Sequence, residues 1–368
     1  MTRVAMIVEQ CLAPVPGGTG RYTVEVGRAV AAAAPAGATV TGWTAWHRDP
    51  ARARLPGVGG PRRLPLPRRL LTVAWEHRLG PAPARADVVH APTLLVPPKR
   101  GRPLVVTLHD AVPWTHPETL TPRGVAWHRR MADHAAREAD RIIVPTQAVA
   151  DDLSRVLDLG DRVTVVGEGV SAALRLPADA AQRADRLRLP TDGYLMSLAT
   201  LEPRKGLDVL IDALAHPGAP DLPLVVVGQP GWGGVDPARQ AERAGIDPGR
   251  IRVLGRLDDT DLAVALAGAT ALVVPSRAEG FGLPVVEAMS VGTAVVSSDA
   301  PALVEVGGGA TVVVRREDPA ALAAALHDVA ADEGLRQRLV AAGRDRAASY
   351  RWDTAAEQLW KLYTDLSP

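Results

Sequence analysis

Cysteine is nearly missing from this chain of 368 residues: Cys11 is alone, so no intrachain disulfide can form and the composition suits a reducing compartment. Lysine is almost as scarce, confined to Lys99, Lys205 and Lys361, and Phe281 is the single phenylalanine. No apolar run approaches the roughly 18 residues that a membrane-spanning helix needs. The apolar stretch Met1–Val8 is cut short by Glu9, too soon for a secretory signal. A soluble cytoplasmic protein is expected. There is no excess of charge of one sign either, and a net charge of +1 argues against a dedicated nucleic-acid binder. Ala, Arg, Gly and Pro are used heavily, which looks like a coding bias and weakens any argument from arginine clusters.

The length suggests two domains of roughly 150–200 residues each. Short β-branched runs alternate with helical patterns throughout: Val4–Val8, Thr39–Trp43, Asp87–His90, Leu104–Leu108, Arg141–Val144 and Val163–Gly167 in the first half, then Tyr194–Leu198, Leu224–Gly228, Ile251–Gly255, Ala271–Val274, Ala294–Val296 and Thr311–Val314. Such alternation predicts parallel sheets covered by helices. Between the halves, 177–190 reads as a linker by composition, giving domains at 1–176 and 191–351. The segment from His47 to Arg69 reads as irregular, and Glu305–Gly309 as part of a sheet edge. The mixture of arginines in 47–69 with Leu70, Leu71 and Trp75 suits either a solvated loop or an anionic membrane surface.

The chain is organised around Val273–Ser298. A buried strand runs into the polar turn Glu279-Gly280-Phe281-Gly282, Leu283 follows, and Pro284 opens a helix that carries Glu287. Two carboxylates thus flank a strand-to-helix turn at the carboxyl edge of a parallel sheet, where ligands bind and where a helix N-terminus favours phosphate. A nucleotide sugar reconciles the two, since its phosphates need cations and N–H donors while its hydroxyls need acceptors. The turn Glu202-Pro203-Arg204-Lys205-Gly206 aims adjacent cations at such a diphosphate. Gly17-Gly18 before another helix allows close backbone approach, although its spacing is not that of a dinucleotide fingerprint. Asp259-Thr-Asp261 superficially offers a metal pair but precedes a helix, where Asp259 or Asp261 is a good N-cap.

The run from Glu279 to Met289 resembles the Glu-x7-Glu signature of retaining GT-B glycosyltransferases of family 4, and Glu202–Gly206 resembles the turn of its mannosyltransferase-like branch. The resemblance spans most of the chain and is strong at 199–206 and 273–298. It implies an α/β fold of two Rossmann-like, doubly wound domains facing across a cleft, with a final helix, 352–368, crossing back onto the N-terminal domain. It implies transfer of a sugar from a nucleotide diphosphate donor with retention of configuration, GDP-mannose before a UDP-sugar. By resemblance Glu279, Arg204, Lys205 and His109 are catalytic. Gly17, Gly18, Gly228, Leu254, Gly280, Phe281, Gly282, Leu283 and Glu287 bind the donor. No metal or other cofactor is required when cations already flank the phosphates. The acceptor, whether glycan, lipid-linked or small-molecule, is not encoded in any motif, and the enzyme would work in the cytoplasm or at the inner membrane face. The readings His90 as functional and His90 as structural stand level. A nucleotide-sugar 2-epimerase of the same fold and a non-catalytic nucleotide-sugar binder are the alternatives.

Overall fold

The computed structural model describes residues 1–367; Pro368, the end of the expected final helix, lies outside the described residues. The chain forms two compact units. The first comprises 1–117, 121–168 and the segment from Arg351 onward; the second comprises 118–120 and 169–350.

The first unit is built on seven parallel strands: β1 (Arg3–Ile7), β2 (Thr39–Trp46), β3 (Gly59–Pro67), β4 (Val88–Ala91), β5 (Leu104–Thr107), β6 (Arg141–Val144) and β7 (Val163–Val165), in the order β3-β2-β1-β4-β5-β6-β7. The inner strands β4 and β5 are buried at every residue, as strands covered on both faces must be. The irregular segment expected before Arg69 instead supplies β3. Its prolines Pro61, Pro65 and Pro67 mask the strand signal, yet β3 is the outermost strand, where missing N–H donors are tolerated. The helix that follows, Arg68–Glu76, buries Leu71 and Trp75 and leaves Leu70 and Val73 exposed.

The unit is completed from far along the chain. The helix Trp352–Leu366 packs on the helix Gly17–Ala32, with the Trp360 indole donating to the Val30 carbonyl at 2.7 Å. Burial of Trp352, Leu359, Trp360 and Tyr363 on one face holds it there.

The second unit repeats the plan with six parallel strands: β8 (Leu195–Leu198), β9 (Leu224–Val227), β10 (Ile251–Gly255), β11 (Ala271–Val274), β12 (Val295–Ser298) and β13 (Val312–Val314), ordered β10-β9-β8-β11-β12-β13. Both sheets follow the Rossmann order, reversing direction beside their first strand: between β1 and β4, and between β8 and β11. The expected linker contains the helix Ala180–Leu187, which packs on Asp259–Ala267 through Arg183 and Arg186 to Asp261 at 2.7 and 2.9 Å. Asp258, not Asp259 or Asp261, caps that second helix, accepting from the Asp261 amide at 2.8 Å. Asp261 is turned to the arginines instead. Glu305–Gly309 is not at a sheet edge either: Pro301–Gly307 is a helix, opened by Pro301.

Candidate active site

Three strand-end turns meet at the carboxyl edge of the second sheet. After β8 the chain makes the short 3-10 turn Pro203–Lys205 and ends it at Gly206, whose φ is 66°. A Cβ at Gly206 would run into the Pro275 carbonyl, and one at Gly228, after β9, into the Ala199 carbonyl. The turns after β8, β9 and β11 therefore touch backbone to backbone, which only glycine permits. Gly228 also donates its amide to Gly255 at 2.8 Å, drawing in the end of β10 beside Leu254.

This closeness brings charges together at the reversal point. Glu279 accepts from the Lys205 ammonium at 2.6 Å, from Arg204 at 3.1 Å and from the Ser276 hydroxyl at 2.8 Å. Arg204 also donates to the Ala278 carbonyl at 2.9 Å and to Glu202 at 2.6 Å. Burial drives the Glu279 carboxyl upward, but Lys205, Arg204 and Ser276 outweigh it and hold it at about 2. Burial prevails at Glu202, whose carboxyl is raised against the pull of Arg204 and Lys205.

A second arginine mirrors the first. Arg277 donates to the Pro203 carbonyl at 2.6 Å, grips Asp208 with both nitrogens at 2.9 and 2.7 Å, and reaches Glu317 at 2.9 Å. Beyond the turn, Gly282 at φ 94° precedes the helix Leu283–Val291, and Phe281 packs edge-on against Tyr350 with ring centroids 5.2 Å apart. Glu287, on that helix, is 2% exposed. Amides of Gly280–Leu283 thus lie at a helix N-terminus beside a buried carboxylate.

In the first unit, Gly17 and Gly18 begin the helix after β1, both exposed, while His109 follows β5. The His109 Nε2–H donates to the Pro92 carbonyl at 2.8 Å, and Nδ1 lies 3.7 Å from buried Glu168. Burial lowers its affinity for a proton, yet Glu168, Pro92 and Asp110 together raise it. The Tyr22 ring meets the imidazole edge-on at 4.6 Å. His90 is fully buried within the protein, bonded to Thr107 at 3.0 Å and to the Tyr363 hydroxyl at 2.7 Å; burial, then the charge of His109, brings its pKa to about 3. That is the environment of a structural hydrogen-bonder that stays neutral.

Arg204, Lys205 and Glu279 are therefore in direct contact, with Gly228, Leu254, Gly280–Leu283 and Glu287 on the same edge. Sequence reasoning missed Glu202, Ser276 and Arg277. Glu202 was visible as the first residue of its turn; the other two were visible only as neighbours of Glu279. Among the described residues, no group of His, Cys, Asp and Glu side chains could hold a metal.

Two Rossmann-like units, each a parallel sheet that reverses beside its first strand, make the fold of a GT-B glycosyltransferase. Solved structures support the fold: a sucrose-phosphate synthase from Thermosynechococcus elongatus superposes with TM-score 0.77 over 100% of this chain and 99% of its own, at 23% identity. The lipopolysaccharide-biosynthesis glycosyltransferase WaaG superposes with TM-score 0.72 over 98% and 99%, at 18% identity. Residues 16–174 match the family description Glycosyltransferase Family 4, and 179–346 match Glycosyl transferases group 1. An Escherichia coli O-antigen chain mannosyltransferase B is 30% identical over 75% of this chain and 74% of its own length. A Catenulispora acidiphila D-inositol 3-phosphate glycosyltransferase is 32% identical over 77% and 73%. The chain belongs to glycosyltransferase family 4 and is a glycosyltransferase.

Proposed function

We propose that the protein transfers a sugar from a nucleoside diphosphate donor, with GDP-mannose the first choice, to a glycan, lipid-linked or small-molecule acceptor, with retention of configuration. The observation that carries this is the placement of Lys205, Arg204 and Glu279 in mutual contact beside the N-terminus of the helix bearing Glu287. Mannose is supported by the Escherichia coli relative and by a Mycolicibacterium smegmatis phosphatidyl-myo-inositol mannosyltransferase, 36% identical over 58% of this chain and 56% of its own. UDP is the competing base, since the structural neighbour HepE of Anabaena was solved with UDP-glucose.

In this reading the departing diphosphate develops negative charge that Arg204, Lys205 and the Phe281–Gly282 amides stabilise. Glu279 exchanges its cations for hydroxyls of the donor sugar, and Glu287 holds the ribose diol. A donor phosphate oxygen accepts the acceptor's proton as attack occurs on the face that the leaving group vacates. His109 and the Gly17–Gly18 amides, on the carboxyl edge of the first sheet, serve the same reaction. The exposed Leu70 and Val73 beside Arg62, Arg63 and Arg69 suit contact with an anionic inner membrane face. No described helix is long and apolar enough to cross a membrane.

Thermal shifts with GDP, UDP, ADP and dTDP test the donor assignment on the wild type, Glu287→Ala and Lys205→Ala. A ligand at a hundredfold its dissociation constant stabilises by about 2.7 kcal/mol, well within detection. One diphosphate should raise the midpoint and both substitutions should abolish the shift. Absence of any shift, also with whole nucleotide sugars, would overturn the reading. Acceptor-free release of nucleotide at full rate would favour an epimerase.

A further inference from the structure

Both oxygens of Glu279 are occupied, one by Lys205 and Ser276, the other by Arg204. The Arg204 nitrogen that faces Glu279 already serves the Ala278 carbonyl as well, so a diphosphate that takes this nitrogen must displace Glu279 from it. Glu202 is under no such demand. Its side chain is 2% exposed, and its 2.6 Å bond goes to the other terminal nitrogen of Arg204, the one that Glu279 does not hold. Its backbone is anchored as well: the Leu201 amide bonds Gln229 at 2.9 Å, the Lys205 amide bonds the Glu202 carbonyl at 3.1 Å, and Pro203 stiffens the turn between them.

We propose that Glu202 is a positioning residue for the donor, holding Arg204 by one terminal nitrogen while the other passes from Glu279 to the diphosphate. The inference rests on the donor site proposed above. Its physical basis is that an arginine held at one end by a short hydrogen bond to an anchored acceptor has few rotamers left to lose when the ligand arrives. The four groups, two carboxylates and two cations, are neutral together before the ligand enters. Glu279 then gives up ion pairs and gains sugar hydroxyls, while the Glu202–Arg204 bond is kept throughout.

The test is the affinity for GDP and UDP, measured calorimetrically on the wild type, Glu202→Gln, Glu202→Asp and Lys205→Ala, each checked for its ligand-free melting midpoint. Glutamine keeps an acceptor at the same reach, and its affinity should stay within about threefold of the wild type. Aspartate keeps the charge but withdraws it by one methylene, and should weaken binding by about tenfold or more. Wild-type affinity in Glu202→Asp overturns the inference, because charge without position then suffices. Equal loss in Glu202→Gln also overturns it, because the charge itself is then what matters. If the wild type binds neither nucleotide, the donor reading fails and this inference with it; if only Lys205→Ala loses binding, the inference fails alone.

Discussion

Arg204 and Arg277 hold each other's turns. The backbone amide of Arg277 donates to the Arg204 carbonyl at 2.8 Å, the Arg204 side chain reaches the Ala278 carbonyl, and the Arg277 side chain reaches the Pro203 carbonyl. Two loops from strands on either side of the sheet's reversal are thus clasped in both directions. Arg277→Ala should open one half of the clasp and leave Asp208 without its bidentate partner. A loss of about 1–3 kcal/mol is expected in urea unfolding, with donor diphosphate affinity falling by about tenfold. Unchanged affinity would show that the turn holds its shape without Arg277.

Glu279 should make the second unit acid-sensitive in a defined window. Its carboxyl titrates at about 2 in the folded protein against 4.5 ordinarily, so it is lowered and stabilises the fold above the ordinary value. That contribution is lost as pH falls from about 4.5 toward 2, and amounts to roughly 3 kcal/mol. Glu279→Gln should flatten this slope in melting curves recorded across pH, lower stability at neutral pH because Lys205 loses its charged partner, and cut turnover by about a hundredfold or more.

His90 predicts a separate, earlier slope in the first unit. It is held neutral, with a pKa of about 3 against 6.5 ordinarily, so unfolding takes up a proton at pH values between the two. Stability is complete above about 6.5 and declines as pH falls toward 3. Tyr363→Phe, which deletes the hydroxyl bonded to His90, should cost about 1–2 kcal/mol. Hydrogen exchange resolved by residue would assign each slope to its unit, and a slope of the His90 window found in the second unit would refute the assignment.

Gly206 and Gly160 form a matched pair, with φ of 66° and 55°. Alanine at Gly206 meets the Pro275 carbonyl, whereas at Gly160 nothing lies within 4 Å. Gly160→Ala should cost about 1 kcal/mol, for the backbone alone. Gly206→Ala should cost several and abolish donor binding, since the Arg204–Lys205 turn must shift. Equal costs would mean that the close approach is not a constraint.

The face bearing Leu70 and Val73 makes its own prediction. Sedimentation with vesicles rich in anionic lipid should retain the wild type and release Leu70→Asp combined with Val73→Asp, with little change for zwitterionic vesicles. Equal retention of both proteins would remove this face from consideration.

Much of this was legible from the chain alone because local and tertiary signals coincide. β11, its glycine turn and the helix at Pro284 are each written in residues that permit little else, and the carboxylates fall at the sheet edge as a consequence. β3 was hidden because prolines argue against a strand unless it is known to be outermost, and that is a property of the whole sheet. The cap at Asp258 was missed since three aspartates stand within four residues, and only the arginines of Ala180–Leu187 decide which one turns away. Glu202 is plain in its motif but its task is not, for its partner Arg204 lies two residues on and the contact depends on how the turn folds.

The return of Trp352–Leu366 to the helix Gly17–Ala32 has a consequence for synthesis. The second unit is, apart from three residues, one continuous stretch from 169 to 350 and can fold as it leaves the ribosome. The first unit, although begun earlier, lacks Trp360 against Val30 and Tyr363 against His90 until the chain beyond residue 351 has been made. The half that is translated first is thus the half that is finished last, and a fragment ending at residue 168 would carry that unfinished surface permanently.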